Sequence, residues 1–376
     1  VNIVLIGNYP PDRQQSMVRF AKCLEEGLNS RDIPARTVAP PARVAARRNT
    51  RGGLGKWLAY VDKFVLFPRQ LRRLARSAPN DSVFHICDHS NAMYVRALPR
   101  ARHLVTCHDL LAVRGAQGDP EAYCPASRTG RVLQRWILDG LASASRVVCV
   151  SRATQNDFRK LVPGYPGRLD HIPLGQNAAY RPLPPDKAWS RIAGLPLHRE
   201  VPFILNVGSS LPRKNRDGCL RIFRGIADRF PGSLVFAGEA LSPEHRALAR
   251  ELDLMDRVAE LPDVTNERLE ALYSVAHALL FPTRAEGFGW PVLEAQLCGC
   301  PVVCSDRTSV PEVAGSGAFI HALDDETGFG DSLLKLLDPA IRDDLRQRGF
   351  ANASTLTIDR MIDRHLEVYR EILQAA

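Results

Sequence analysis

What this chain lacks narrows its function first. It has nine cysteines in 376 residues, an odd number. Cys87, Cys107, Cys149 and Cys304 lie within apolar, strand-like runs, which suits a reducing compartment and not a disulfide framework. Cys298 and Cys300 have no second pair at zinc-site spacing, so they read as packing and no metal site is expected from them. There is no Asp-x-Asp anywhere, no Walker lysine motif and no Gly-x-Gly-x-x-Gly, which argues against an NTPase or a dinucleotide enzyme. No apolar run approaches the ~20 residues of a membrane span. The first one, Val1 to Gly7, has strand length and no basic stretch before it, so it is not read as a signal peptide. Internal repeats and low-complexity tracts are also missing.

At this length the chain exceeds one ordinary core and suits two domains of about 150–200 residues each. Its net charge of +9 is concentrated in one place. Between Arg43 and Arg76 ten Lys/Arg face a single acid, Asp62, a net +9 within that segment alone. Trp57, Tyr60, Phe64 and Phe67 and several aliphatic residues interleave with these charges. Basic and apolar residues mixed at helical spacing fit the surface of an anionic membrane, where each cation contributes on the order of 1 kcal/mol. A core helix with a solvated basic face is the plainer reading. Nucleic acid is not expected as a partner, because no zinc finger or recognition helix accompanies the charge.

Strand-like and helix-like stretches alternate along the chain. Val1–Gly7, Val83–Cys87, His103–Cys107, Val147–Val150 and His171–Leu174 read as strands, with helices at Met17–Leu28 and Gly130–Ala144. Residues 180–196, with Pro182, Pro184 and Pro185, read as a linker. A second series follows, with strands at Phe203–Val207, Ser233–Ala237, Val258–Leu261, Ala278–Phe281, Pro301–Cys304 and Ala318–His321. The chain closes on an amphipathic helix, Ile358–Leu373. The expected class is α/β, two βαβ domains with a hinge and a cleft between them.

The most informative stretch is Glu286-Gly-Phe-Gly-Trp-Pro-Val-Leu-Glu294. A glycine turn at Gly287-Phe288-Gly289 lets backbone N–H groups approach an anion. Pro291 suits the first turn of a helix, and that helix would carry Glu294. An acidic helix start is the plainer alternative, but the flanking strand-like runs favour a ligand loop at the carboxyl ends of the strands. A second phosphate signal is Gly208 to Asn215, a strand end opening a helix, with Arg213 and Lys214 as charge-assisted donors. Such a basic pair is unusual in a helix's first turn, because the dipole disfavours it there.

Together these residues resemble the retaining, nucleotide-sugar-dependent glycosyltransferases of the GT-B fold, family 4. The acid-x7-acid stretch Glu286–Glu294, the pair Arg213-Lys214 and Ser309-Val-Pro-Glu-Val-Ala-Gly315 carry the resemblance in the C-terminal half. Val105-Thr-Cys-His108-Asp109, Val150-Ser151 and Ile172-Pro-Leu-Gly175 carry it in the N-terminal half. The resemblance implies an acceptor-binding Rossmann-like domain over 1–180 and a nucleotide-sugar domain over 181–357. It also implies a C-terminal helix, 358–376, that packs back on the N-terminal domain. Glu286 would then meet donor-sugar hydroxyls and Glu294 the ribose. Arg213 and Lys214 would neutralise the diphosphate leaving group, backbone at Gly208 and at Gly287 to Gly289 would hold phosphate, and backbone near Val264 would read the base.

No divalent metal or other cofactor is implied, with a nucleoside-diphosphate sugar as co-substrate. His108 would orient sugar or acceptor, although a lone histidine is as readily a satisfied structural residue. The family's first loop carries a glycine pair. This chain has Asn8-Tyr-Pro-Pro-Asp-Arg-Gln-Gln-Ser16 there, so Arg13, Gln14 and Gln15 would contact donor or acceptor by side chain, while Ser16 could cap the helix that follows. The cluster His85-Ile-Cys-Asp88-His89-Ser90, with Asp109, would line the acceptor side; it lacks supporting ligands for a metal, and ordinary loop chemistry is the alternative. The expected activity is hexose transfer to a glycan or lipid-linked acceptor at the cytoplasmic membrane face, in surface polysaccharide or glycolipid assembly. The enzyme would be peripheral on the inner leaflet. A silent sugar-nucleotide-binding module and an epimerase or phosphorylase of the same fold are the alternatives.

Overall fold

The computed structural model describes residues 1–12, 14–44, 53–176 and 178–375. The chain divides into two units, one of Val1–Pro120, Cys124–Asn177 and Ile358–Ala376, the other of Glu121–Tyr123 and Ala178–Thr357. Each is built on a six-stranded parallel sheet. Helices cover both faces of such a sheet, so its inner strands read as unbroken apolar runs. That is why SVFHI, HLVTC, RVVC and ALLF are buried at every position.

The first unit contains β1 (Asn2–Ile6), β2 (Ala35–Val38), β3 (Ser82–Ile86), β4 (His103–Cys107), β5 (Arg146–Cys149) and β6 (Arg168–His171). Their order is β2-β1-β3-β4-β5-β6. The order reverses at β1, which has β2 on one side and β3 on the other. The second unit contains β7 (Phe203–Gly208), β8 (Ser233–Gly238), β9 (Val258–Pro262), β10 (Ala278–Phe281), β11 (Val302–Ser305) and β12 (Ala318–His321), in the order β12-β11-β10-β7-β8-β9. Here the order reverses between β7 and β10. In open parallel sheets the loops that part at such a point leave a crevice for ligands.

Several sequence expectations are corrected. The edge strand β2 is not foreseen, because ARTV has no apolar alternation and no buried residue and is held by its pairing to β1. The strand expected at His171–Leu174 lies earlier, at Arg168–His171. The stretch read as a linker contains the helix Pro185–Arg191, with proline in its first turn. Its Trp189 ring meets Phe203 at 6.5 Å and its Arg191 pairs with Glu270.

The final helix, Ile358–Gln374, belongs to the first unit as expected. Tyr369 Oη lies 2.7 Å from His85 Nδ1, Arg31 pairs with Asp359 at 2.6 Å and Arg146 with Glu371 at 2.6 Å. His85 is therefore not an acceptor-side loop residue. It lies inside β3, buried between Tyr369 and Thr106 Oγ1 (2.7 Å).

The basic segment folds as helices Gly53–Val61 and Phe67–Ser77 joined by a π-turn, Asp62–Leu66. Phe67, Leu71 and Ala75 pack into the core, so the plainer reading holds for that face. Arg47, Arg48 and Arg51 lie outside the described residues, as does Arg13.

Candidate active site

In the second unit the chemistry collects where β7 and β10 end. Gly208 closes β7 with φ +145°, a backbone region open to glycine. A Cβ there would stand 3.3 Å from Lys214 Cε and 3.4 Å from Cδ, so the Lys214 stem lies along Gly208. Arg213 and Lys214 do not open a helix, contrary to the sequence reading. They occupy a separate 3-10 turn, Pro212–Lys214, and Asn215 at φ 53° divides it from the helix Arg216–Ile226. Asn is among the few residues that tolerate this left-handed turn, and its Nδ2 is tied to the Pro282 carbonyl at 2.8 Å. The turn thus sets the pair just outside the helix, beside its positive end.

The turn after β10 brings Glu286 to this pair. Its Oε2 accepts from Arg213 Nη1 at 2.9 Å and its Oε1 from Lys214 Nζ at 2.5 Å. Thr283 Oγ1 lies 3.0 Å from Oε1 and 2.8 Å from the Arg213 carbonyl. The backbone N–H of Glu286 donates to Thr308 Oγ1 at 2.9 Å, and Ser309 Oγ lies 3.0 and 2.9 Å from the carbonyls of Glu286 and Phe288. Gly289, at φ 103°, then starts the helix Trp290–Leu297, with Pro291 in its first turn as expected.

Burial opposes the Glu286 charge, but Lys214 and Arg213 outweigh it and hold the carboxyl below its ordinary range. Lys214 is also lowered, first by burial and then by Arg213, because one carboxylate serves two cations and compensates only in part. These three groups sum to one surplus positive charge. Glu294, buried in the helix, accepts from Tyr273 Oη at 3.0 Å. Val264 follows β9 beside Asp263, whose N–H bonds the Gly238 carbonyl at 2.9 Å.

In the first unit the equivalent place is where β1 and β3 end. Buried Asp88 accepts from Asn8 Nδ2 at 2.5 Å, Ser90 N at 2.9 Å and Ser90 Oγ at 2.6 Å. Gln14 Oε1 bonds the same Asn8 amide. Burial raises the Asp88 pKa, but His89, His108 and these hydrogen bonds outweigh it, and the net shift is downward. His108, after β4, places Nε2 2.9 Å from the Cys87 carbonyl. This makes Nε2 the protonated nitrogen and leaves Nδ1 as an acceptor. Burial lowers its pKa despite Asp88, and Phe20 packs edge-on at 4.9 Å. His89 Nδ1 stands 3.2 Å from Asp88 Oδ1.

The structure thus gathers Gln14, Asp88, His89 and His108, and turns Asp109 to a local task, with Oδ1 accepting from Leu111 N at 3.1 Å. Ser16 does not cap the first helix, which starts at Gln15 with no side-chain cap. Sequence reasoning missed Asn8, Thr283 and Thr308 as site members. Single polar residues after a strand carry no local signal, and only the fold shows what they touch.

Residues 17–179 match the family described as Glycosyltransferase Family 4, and residues 190–351 match Glycosyl transferases group 1. A D-inositol 3-phosphate glycosyltransferase of Mycolicibacterium paratuberculosis is 31% identical over 92% of this chain and 80% of its own length. A namesake from Acidothermus cellulolyticus is 31% identical over 62% of this chain. An O-antigen chain mannosyltransferase B of Escherichia coli is 28% identical over 66% of this chain. The chain spans 55% and 66% of the length of these last two relatives. Among solved structures, sucrose-phosphate synthase from Thermosynechococcus elongatus superposes with TM-score 0.78 at 19% identity, covering 100% of both chains. With both halves matched and the twin parallel sheets in place, the chain belongs to family 4 of the glycosyltransferases, with the GT-B fold.

Proposed function

We propose that this chain is a retaining, metal-independent glycosyltransferase. It would move a hexose from a nucleoside-diphosphate sugar to a glycan or lipid-linked acceptor, in surface polysaccharide or glycolipid assembly. The observation that carries the reading is the Arg213–Lys214–Glu286 cluster at the switch point of the second sheet. Its surplus positive charge suits a diphosphate. A diphosphate engaging Arg213 and Lys214 would release Glu286 from them and free its oxygens for sugar hydroxyls. As the bond from the anomeric carbon to the diphosphate breaks, the two cations stabilise the departing charge, a task that metal ions perform elsewhere. The acceptor oxygen then bonds the anomeric carbon on the same face and passes its proton to the leaving diphosphate. The configuration is retained, through an oxocarbenium-like transition state. In the first unit, neutral His108 with Asp88, Gln14 and His89 would take the acceptor side.

The relatives' names support sugar transfer to polyol phosphate or polysaccharide acceptors. A membrane surface is supported by the exposed face of the basic segment, where Trp57 (65% exposed), Val61 and Val65 are followed by Arg69, Arg72, Arg73 and Arg76. Among the described residues no helix is long and apolar enough to cross a membrane. Peripheral binding at the inner leaflet is the form of contact in this proposal.

The test is a thermal-shift screen of nucleoside diphosphates and their sugars with and without EDTA, followed by turnover with the selected donor. A selective shift that persists in EDTA, and a product whose anomeric configuration matches the donor, are expected. No shift with any nucleotide would refute the donor site, and an inverted product would refute retention. Flotation with anionic liposomes tests the surface claim. Binding that weakens with salt is expected, and no binding at low salt would remove it.

A further inference from the structure

We infer that Arg216 is a positioning residue of the diphosphate site, whose buried guanidinium ties the ends of β7 and β8 together and so sets where Lys214 stands. This rests on the nucleotide-sugar reading of Arg213, Lys214 and Glu286.

Arg216 is an improbable residue for its place if only packing mattered. It opens the helix Arg216–Ile226, where the positive end of the dipole disfavours a cation. It is also 1% exposed. Among the described residues it makes no ion pair with a carboxylate, and burial lowers its pKa, with the nearby Glu239 and Glu260 opposing only in part. A buried cation that no carboxylate touches is costly, and an apolar side chain would fill the same space more cheaply.

What the guanidinium does hold is backbone. Nη2 donates to the Gly208 carbonyl at 2.7 Å. Nη1 donates to the Glu239 carbonyl at 2.7 Å, to that of Ala240 at 3.3 Å and to Ser210 Oγ at 2.8 Å. The group lies over the Phe236 ring, 5.2 Å from its centre. One planar fork therefore fixes the last residue of β7, the loop after β8 and the loop leading to the basic pair.

That loop is fixed a second time, because Ser210 N donates to the Glu239 carboxylate at 2.7 Å and Ser210 Oγ to the Ala240 carbonyl at 2.5 Å. The two strand ends are already close. A Cβ on Gly238 would stand 2.6 Å from the Gly208 carbonyl oxygen. Gly208 is in turn the bed on which the Lys214 stem lies. Displacing Gly208 thus moves Lys214 relative to Glu286. Arg216 also adds a positive charge whose hydrogen-bond partners are all neutral beneath a loop that would receive an anion. A lysine could keep that charge but could not span the three carbonyls with one fork.

The experiment measures binding of UDP, GDP and ADP, and of the matching nucleosides, to wild type, Arg216→Gln, Arg216→Lys and Arg224→Ala. It is run at a temperature where circular dichroism shows each protein folded. The readout is the ratio of nucleoside to diphosphate dissociation constants, which general loosening of the fold would not selectively change. For whichever diphosphate wild type prefers, R216Q should shrink that ratio about tenfold. R216K should restore only part of it, and R224A, on an exposed face of the same helix, should leave it unchanged. An unchanged ratio in both Arg216 variants overturns the inference. Should R216Q not fold, R216K decides alone, with a ratio equal to wild type counting against it. A wild type that holds none of the three diphosphates refutes the nucleotide-sugar reading itself, an outcome separate from the other two.

Discussion

The two units place a polar cluster at the same topological position, the point where strand order reverses, yet the clusters differ in charge. In the second unit two cations share one carboxylate, and the set keeps a positive surplus. In the first unit a single carboxylate, Asp88, is ringed by amide, hydroxyl and imidazole groups, with His108 held neutral by burial. The same fold position is therefore specialised by the side chains on its loops. A positive surplus suits a diphosphate, whereas one carboxylate ringed by neutral donors and acceptors suits a ligand rich in hydroxyls.

The largest effect that would break this contrast is at Glu286. Glu286→Ala should lower kcat by about three orders of magnitude while nucleoside diphosphate binding is kept, because the sugar contact is lost whereas Arg213 and Lys214 would leave Glu286 for the diphosphate in any case. Lys214→Ala should instead weaken diphosphate binding. Equal losses of binding in both variants would show that the cluster acts as one structural unit.

Next in size is a difference in acid sensitivity. Buried His365 is held down to a pKa of about 4, chiefly by burial, with His108 adding to the shift and the Met361 carbonyl and Asp170 opposing it. His85, stacked 5.4 Å from it, is lowered by the same cause. An imidazole whose folded pKa lies below its unfolded one stabilises the fold fully above the unfolded value. That stability drains as pH falls toward the folded value. For His365 the window is about pH 6.5 to 4 and the loss roughly 3 kcal/mol. Melting temperature against pH should fall across this window and flatten in His365→Leu. An identical slope in the variant would contradict the assignment.

Smaller still, His108→Ala should reduce acceptor-dependent turnover about tenfold or more and leave diphosphate affinity unchanged. A parallel loss of diphosphate affinity would blur the division between the units. The smallest effect is expected from Thr283→Val, which removes one of three bonds to the Glu286 carboxylate. Turnover should fall only a few-fold, at unchanged diphosphate binding.

Much of this was legible in the sequence where neighbours along the chain do the work. The buried strands were readable because parallel sheets demand apolar runs, and the helix after Gly289 because proline and glycine mark its start. β2 was not readable, since its four residues are strand only by virtue of pairing with β1. Glu286, Arg213 and Lys214 could be singled out one by one, but their pairing joins positions more than seventy residues apart. The same distance hid Thr283, whose hydroxyl reaches back to Arg213. Arg216 was invisible for the opposite reason. A basic residue at a helix start reads as solvent-facing, and only the converging carbonyls of two strands reveal that it is enclosed.

The return of the last helix to the first unit has a consequence for synthesis. The second unit apart from Glu121–Tyr123 is one continuous stretch, 178–357, whereas the first is completed only by Ile358–Gln374. During translation domains usually close in the order in which they emerge. Here the strands of the first unit are made before those of the second yet wait for the helix that follows them, because His85 finds Tyr369, and Arg146 finds Glu371, only once Ile358–Gln374 has emerged. The earlier-born half is thus the later to mature.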